Sequence, residues 1–235
     1  MSFTFLRCFN SRALIWFCAL VCCGLVCGVQ AREEAKERDL AESLPLVWQD
    51  KTPAEDKSSW TWQLLGHHDF TYWGLSIYKA NLWLGSKLSE TGAPFNVNGL
   101  ARTPWGLPQG VVALHLVYQR GFSKEVLVKR SLEEMMAQHV IPQGQGASWE
   151  RELLGVLPNV GAQDELLAIY EMQDLGRVVL MGKPKGHSSF EPLGRLSDPL
   201  LAQSFMGIWL SPQTSQPKMR EALLGQGLKK IEARE

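Results

Sequence analysis

FTYWGLSI, residues 70–77, places a large apolar side chain at nearly every second position, and this period of two continues to Leu84. Successive side chains of a β-strand point to opposite faces of a sheet, so the alternation is typical of strands with one buried face. It begins at Trp60. The stretch therefore predicts a hairpin or one long bent strand.

Three more runs rich in Val, Leu, Ile and Tyr are bounded by turn residues: 111–118, 165–172 and 177–181. They predict further strands of an antiparallel sheet. Helix signals mark the remaining elements and are concentrated at the C-terminal end, which favours the α+β class over a parallel α/β fold. Four helices are predicted. The first begins at Ser123, the second covers 149–156, the third covers 200–210 after an Asp198-Pro199 cap, and the fourth begins at Pro217 and ends at Gly225.

The amino terminus has the three parts of a secretory signal peptide. Arg7 and Arg12 form a positive flank, residues 13–26 form an uncharged apolar run, and Val29-Gln30-Ala31 offers small side chains for cleavage. We predict that residues 1–31 are a signal peptide and that the protein is exported, periplasmic or extracellular, with no stable membrane anchor after cleavage. The alternative is a membrane tether, because a slightly longer apolar run would reach the roughly 20 residues that span a bilayer.

All five cysteines lie within residues 1–31. The exported chain would therefore have no disulfide and no thiolate nucleophile, and its core alone would hold it together. Removing Arg7 and Arg12 leaves 22 of the 24 basic residues against 24 acidic ones. A slightly acidic chain is poorly suited to nucleic acid, whose binding depends on neutralised phosphates, so no nucleic-acid partner is expected.

The rest of the chain divides into an arm and a domain. Residues 32–59 carry a mixed-charge run and few large apolar side chains, which predicts a flexible N-terminal arm. Residues 60–230 form the predicted domain. Within it, the Pro- and Gly-rich segment 91–110 predicts a long loop with an exposed Trp105.

Motifs in this domain resemble those of the bacterial chalcone isomerase-like family. The strings FMGIWLSP (205–212) and MREALLG (219–225) are similar to the FFGIWL and LR..LLG signature of that family. Four upstream strings resemble other family motifs in the same order and extend the resemblance over most of the domain. They are GLSIYKANLWL at 74–84, LVYQR at 116–120, SLEEM at 131–135 and LPNV at 157–160.

The resemblance implies a chalcone isomerase-like open-faced sandwich, an α+β fold with a large antiparallel β-sheet backed by a layer of helices. It also implies an elongated apolar cleft between the sheet and the helices. The plant enzymes of the wider superfamily close the ring of a chalcone with an Arg near the first strand and a Tyr, Lys and Asn on one helix. The corresponding positions here hold Phe70, Phe122, Glu125 and Lys129, so chalcone isomerase activity is not expected.

Five residues are candidates for ligand binding at the implied cleft. The aromatic and Met candidates either line the cleft or fill the core. Arg220 either pairs with a ligand carboxylate or has a structural role, in which it bridges Asp164 or Glu221 or caps a strand end. The candidates are Tyr78, Tyr118, Phe205, Met206 and Arg220.

Signals for other chemistry are weak. His67, His68 and Asp69 are adjacent in a predicted strand, where neighbouring side chains point to opposite faces and do not bind one metal ion together. No G-x-S-x-G nucleophile motif occurs in the sequence. We therefore expect neither a metal site nor a cofactor, and no catalytic residue is identified.

Three functions remain open at this stage. The favoured one is an exported, non-catalytic protein that binds a fatty acid or other apolar small molecule in the sheet-helix cleft. The second is an isomerase, an intramolecular lyase with a rearranged active site. The third is a structural or partner-binding protein of the cell envelope that uses the 91–110 loop, although the sequence identifies no protein partner.

Overall fold

The computed structural model describes Leu40 and residues 60–87, 105–107, 111–171 and 176–232. Within these ranges the strands form one antiparallel sheet of six, in which each strand pairs with its neighbours along the chain. The strands are β1 (Trp60–Tyr72), β2 (Leu75–Lys87), β3 (Val111–Tyr118), β4 (Glu165–Glu171), β5 (Arg177–Lys183) and β6 (Glu191–Leu196).

β1 and β2 form the predicted hairpin. Tyr72 pairs with Leu75, so the loop contains only Trp73 and Gly74. Both loop residues have positive φ, 52° and 74°. Positive φ at both central residues defines a type I′ turn, whose twist matches the twist of the two strands that it joins.

The helices lie in two pairs, between β3 and β4 and after β6. The predicted caps are present: the Ser123 side chain accepts a hydrogen bond from the backbone of Val126, and Asp198 accepts one from Leu200. Throughout the described ranges, every helix is too short or too polar to cross a membrane. The α+β prediction is confirmed. The helices are α1 (Lys124–Ala137), α2 (Gly146–Val156), α3 (Pro199–Leu210) and α4 (Pro217–Glu232).

The main core lies between the helices and one face of the sheet. Alternation places Leu82, Leu114 and Leu180 on this face, where they are buried against helix side chains. The backbone of α4 comes closest to β1 at Gly66, where an added Cβ would lie 2.6 Å from the carbonyl oxygen of Leu223. Only glycine fits there, because any side chain would meet the helix backbone.

The opposite face of the sheet carries a second buried cluster. Trp83, Ala113 and Ile169 project from this face, and Leu40 packs among them. Leu40 belongs to the predicted N-terminal arm, so the arm contacts the sheet at this residue. The other arm residues and the predicted signal peptide lie outside the described residues, and those assignments stay predictions.

Two elements differ from the sequence predictions. β6 was not predicted, because Pro192 and Gly194 interrupt its alternation; it is an edge strand, in which proline is tolerated. The predicted stop of α4 at Gly225 is wrong, because the helix continues to Glu232. A glycine inside a helix costs about 1 kcal/mol, which neighbouring residues can offset.

Candidate functional site

Aromatic side chains gather between the helices and the end of the sheet where the β1–β2 hairpin turns. They come from three strands, one helix and the segment between β3 and α1. We call this group the aromatic cluster. It consists of Phe70, Tyr78, Tyr118, Phe122, Phe205 and Trp209.

The sheet side of the aromatic cluster follows from strand register. Phe70 lies opposite Tyr78, and Tyr78 lies opposite Tyr118. Opposite residues of antiparallel strands share a face, so these rings pack side by side. The ring centroids are 5.0 Å apart for Phe70 and Tyr78, and 6.1 Å apart for Tyr78 and Tyr118. Phe122 extends the row, with its ring centroid 6.2 Å from that of Tyr118.

Helix α3 supplies the other side of the cluster. Phe205 and Trp209 are one helical turn apart, and their ring centroids are separated by 5.5 Å. The indole Nε1 of Trp209 donates a hydrogen bond to the Tyr78 hydroxyl over 3.1 Å. That hydroxyl donates in turn to the sulfur of Met219 over 3.7 Å. A thioether sulfur is a weak acceptor, so the Tyr78 proton has a weak partner.

Burial raises the pKa of both tyrosine hydroxyls. At Tyr78 burial is the largest cause, the hydrogen bond from Trp209 opposes it, and the charge of Glu134 adds to it. At Tyr118 burial again dominates, and Tyr78 raises the pKa further. Both phenols therefore stay protonated at neutral pH, where they serve as hydrogen-bond donors rather than as proton-transfer groups.

The Tyr118 hydroxyl has a donor to spare. The side chain is 5% exposed, and its hydroxyl has no hydrogen-bond partner among the described residues. The Tyr118 hydroxyl can therefore donate a hydrogen bond to a polar atom of a bound molecule.

The structure brings together three of the five candidate site residues. Tyr78, Tyr118 and Phe205 belong to the aromatic cluster, whereas Met206 is buried in the main core beside it. The role of these four residues in ligand binding stays a prediction.

Arg220 makes a structural contact that was not predicted from the sequence. Its Nε donates a hydrogen bond to the carbonyl oxygen of Leu210, the last residue of α3, over 2.8 Å. The side chain therefore caps a helix end rather than the expected strand end. Because the last carbonyls of a helix lack intrahelical donors, a cation is favourable there. A role of Arg220 in ligand binding remains a prediction.

The four residues that the sequence resemblance pairs with polar groups of the plant enzymes lie in two different environments. Phe70 and Phe122 are part of the aromatic cluster. Glu125 is exposed at the start of α1, and Lys129 is an exposed side chain with its Nζ 4.0 Å from Glu133. Phe70 therefore presents an apolar ring to the cluster, and the absence of chalcone isomerase activity stays a prediction.

A polar row on the opposite face of the sheet was missed from sequence. His115 Nε2 lies 2.7 Å from a Glu165 oxygen, and Lys183 Nζ lies 2.9 Å from the other oxygen. Asn81 Nδ2 lies 3.4 Å from His115 Nδ1. Burial alone would raise the pKa of Glu165, but the hydrogen bonds and charges of His115 and Lys183 outweigh it and lower this pKa. The four residues of this row come from four different strands. Their spacing along the chain therefore does not predict that they lie together.

The adjacent His67, His68 and Asp69 are divided between the two faces of β1. His67 pairs with Asn81 and His68 pairs with Ala80, which places the two imidazoles on opposite sides. In the ranges that the structure describes, no three His, Cys, Asp or Glu side chains gather as a metal-binding group.

The prediction of an exposed Trp105 is wrong. Trp105 is 3% exposed, and its ring centroid lies 5.0 Å from that of Tyr170 in an edge-on contact. A ring of this size gains more from burial in the core than from exposure on a loop. The remaining residues of the predicted loop, apart from 105–107, lie outside the described residues. The partner-binding hypothesis thus loses the exposed ring on which it depended.

Comparison with known proteins identifies the fold but not a family. No family model matches the sequence, and no curated protein matches it. Among solved structures, the chain is similar to the Arabidopsis thaliana fatty-acid binding protein AtFAP1, with a TM-score of 0.51 and 11% sequence identity. The match covers 77% of this chain and 94% of the plant chain. The likeness confirms the open antiparallel sheet with helices that the C-terminal motifs implied.

Proposed function

We propose that this protein binds a fatty acid or a similar apolar molecule with one polar end, without catalysing a reaction. The observation that carries this proposal is the pair of neighbouring phenols in the aromatic cluster. Tyr118 has no hydrogen-bond partner among the described residues, and Tyr78 donates only to the Met219 sulfur. Apolar surroundings with one or two convergent donors suit an aliphatic chain with a carboxylate head.

The protonation state of the phenols supports binding over catalysis. A general acid or base works best when its pKa lies near the working pH, and burial moves the pKa of Tyr78 and of Tyr118 away from neutrality. A phenol that keeps its proton donates a short, charge-assisted hydrogen bond to a carboxylate. The similar plant structure is a fatty-acid binding protein by name, which makes fatty acids the first probes to use.

The direct test is native mass spectrometry of protein purified from its own host, together with thermal melting in the presence of laurate, palmitate or oleate. We expect an adduct of lipid mass and a raised melting temperature, because a ligand that binds only the folded state stabilises it. Palmityl alcohol, which has the same chain without the carboxylate, should raise the melting temperature less. Absence of an adduct together with an unchanged melting temperature for all three fatty acids would sink the proposal.

A conservative variant tests whether Tyr118 binds the carboxylate head group. Tyr118→Phe should weaken palmitate binding by about tenfold, the equivalent of one hydrogen bond to a charged group. It should leave the unfolding free energy of the free protein nearly unchanged, since the hydroxyl has no partner there. Tyr170→Phe is the matched control, because Tyr170 is also buried but lies outside the aromatic cluster. Equal palmitate affinity for Tyr118→Phe and wild type would place the head group elsewhere.

We also propose that the protein is exported and belongs to the bacterial chalcone isomerase-like family. The positive flank and apolar run in residues 1–31 support export, and the FMGIWLSP string supports the family. Amino-terminal sequencing of the protein isolated from its host should find a chain that begins at Arg32. A chain that begins at Met1 and stays with the membrane fraction would indicate an uncleaved tether instead.

A further inference from the structure

The tip of the β1–β2 hairpin projects beyond the rest of the sheet. The last residue pair between β2 and β3 is Tyr78 with Tyr118, and one further hydrogen bond joins the Gln119 nitrogen to the Ile77 carbonyl, whereas β1 and β2 continue to pair up to Tyr72 and Leu75. At about 3.3 Å per residue, this two-stranded ribbon extends roughly 10 Å past the last pair with β3. Its end is accessible from several sides.

Large apolar side chains stand at this tip without support from the rest of the described chain. Trp73 is 87% exposed, Tyr72 is 54% exposed and Leu75 is 46% exposed. The rings of Tyr72 and Trp73 contact each other, with centroids 6.2 Å apart. Exposed apolar residues are ordinary when scattered, but three of the four residues 72–75 around one turn form a contiguous apolar surface.

The backbone adds a second observation. Trp73 has a φ of 52°, in the left-handed region that favours glycine and asparagine. A bulky residue there is unfavourable by roughly 1–2 kcal/mol. The first central position of a type I′ turn is usually Asn, Asp or Gly. Trp73 therefore occupies a strained position without gaining burial within the described chain, which indicates a function for its ring outside the chain.

We propose that the hairpin tip formed by Tyr72, Trp73 and Leu75 inserts into the interfacial layer of a lipid bilayer. Trp and Tyr rings have an apolar body and a polar edge, which suits them to the boundary between head groups and acyl chains. A reach of roughly 10 Å matches the 5–10 Å to which interfacial segments are buried.

Charge at the base of the tip fits an anionic membrane. The backbone nitrogen of Gln119 donates a hydrogen bond to the Ile77 carbonyl, which places the exposed Arg120 beside the ribbon. Lys124 follows at the start of α1, and the acidic Glu125 offsets one of these two charges. Asp69 and Lys79 face each other across the ribbon. The net charge at the base is therefore about +1.

The small area of the tip argues against a protein partner. Three partly exposed side chains offer roughly a few hundred Å², since an aromatic residue buries at most about 250 Å². A stable protein interface covers about 800 Å² on each partner. Insertion into lipid requires no complementary surface, so a tip of this size is sufficient.

The test compares variants of the protein as it is isolated from its host, with vesicles of phosphatidylcholine alone or mixed with phosphatidylglycerol. In Trp73→Asn the ring is removed and the turn receives a preferred residue, so the fold should be retained. We expect it to lose at least about tenfold in vesicle affinity, the effect of removing one large buried side chain. Arg120→Gln should lose about fivefold on the mixed vesicles only. Met136→Gln, at an exposed apolar side chain of α1, is the control.

A second readout isolates Trp73 from the other eight tryptophans. Trp73→Phe keeps an apolar ring, so the difference in emission between wild type and this variant comes from Trp73. Brominated lipids should quench this difference signal. Vesicle binding that is equal for wild type and Trp73→Asn, or a difference signal that is not quenched, overturns the proposal. A dimer that Trp73→Asn abolishes, without any vesicle binding, also overturns it and assigns the tip to self-association. No fatty acid is added, so the result is independent of the proposed ligand.

Discussion

The indole of Trp209 is hydrogen-bonded to the hydroxyl of Tyr78, a residue 131 positions earlier in the chain, over 3.1 Å. This bond joins the third helix to the second strand in the middle of the aromatic cluster. Both side chains are largely enclosed by apolar neighbours. A broken bond would therefore leave one polar group without compensation in the core.

Tyr78→Phe should lower the unfolding free energy by roughly 1–3 kcal/mol, because it leaves the Trp209 N–H without an acceptor. Chemical denaturation at neutral pH measures this change. Tyr72→Phe, which removes an exposed hydroxyl on the same hairpin, should stay within about 0.5 kcal/mol of wild type. A similar small effect for Tyr78→Phe would mean that the bond contributes little to stability.

Gly66→Ala should destabilise the protein by roughly 1–3 kcal/mol, as overpacking generally does. The added methyl group would meet the backbone carbonyls of Ala222 and Leu223, which cannot rotate away as a side chain would. Gly155→Ala is the control, because Gly155 lies on α2 with open space around it. That substitution should stabilise the protein by about 0.5–1 kcal/mol. Equal melting temperatures for the two variants would contradict the close approach of α4 to β1.

Asp198→Ala should lower the unfolding free energy by about 1–2 kcal/mol, since the Asp198 side chain caps α3. One carboxylate oxygen accepts hydrogen bonds from the backbone of Leu200 and Leu201, and the other accepts one from the Trp149 indole over 3.2 Å. Asp198→Asn retains a side-chain oxygen for the cap and should lose less. If Asn and Ala have the same effect in denaturation curves, the cap is not the source of the stabilisation.

Stability at acid pH should depend on Glu165. Its pKa is lowered in the folded state, so it contributes stability above its unfolded pKa of about 4.3 and loses it as the pH falls through the lower folded value. Glu165→Gln should therefore be less stable than wild type by roughly 1–3 kcal/mol at pH 7, with a difference that shrinks below about pH 4.

Denaturation curves measured across this pH range test the prediction. Glu133→Gln is the control, because Glu133 belongs to an exposed ion pair with Arg130 that contributes little to stability. A difference between wild type and Glu165→Gln that stays constant from neutral to acid pH would contradict the assignment of this carboxylate.

Periodicity predicted the elements whose packing is simple. The strands of the hairpin were recognisable because apolar residues follow a period of two, although this pattern also allowed one long bent strand. The helices α1 and α3 were recognisable because Ser123 and Asp198 occupy N-cap positions. β6 was not recognisable, since an edge strand tolerates Pro192 and Gly194 without an apolar alternation. The local sequence pattern therefore predicted those elements that have one face buried in the core.

The candidate site was only partly accessible from sequence. Tyr78 and Tyr118 were identified as candidates, but their contact depends on strand register, which a single sequence does not specify. The donor from Trp209 and the unused hydroxyl of Tyr118 depend on how α3 lies over the sheet. Trp105 was placed wrongly, because the turn residues around it indicate a loop and not the direction of its ring.

The close contact between α4 and β1 can form only after the last helix has been synthesised. The six strands pair in chain order, so the sheet can form progressively from local contacts while the chain is still being made. The groove around Gly66 can be covered only when Pro217–Glu232 has been synthesised. An unfinished chain therefore presents an open apolar groove on its first strand, and such surfaces attract chaperones and promote aggregation.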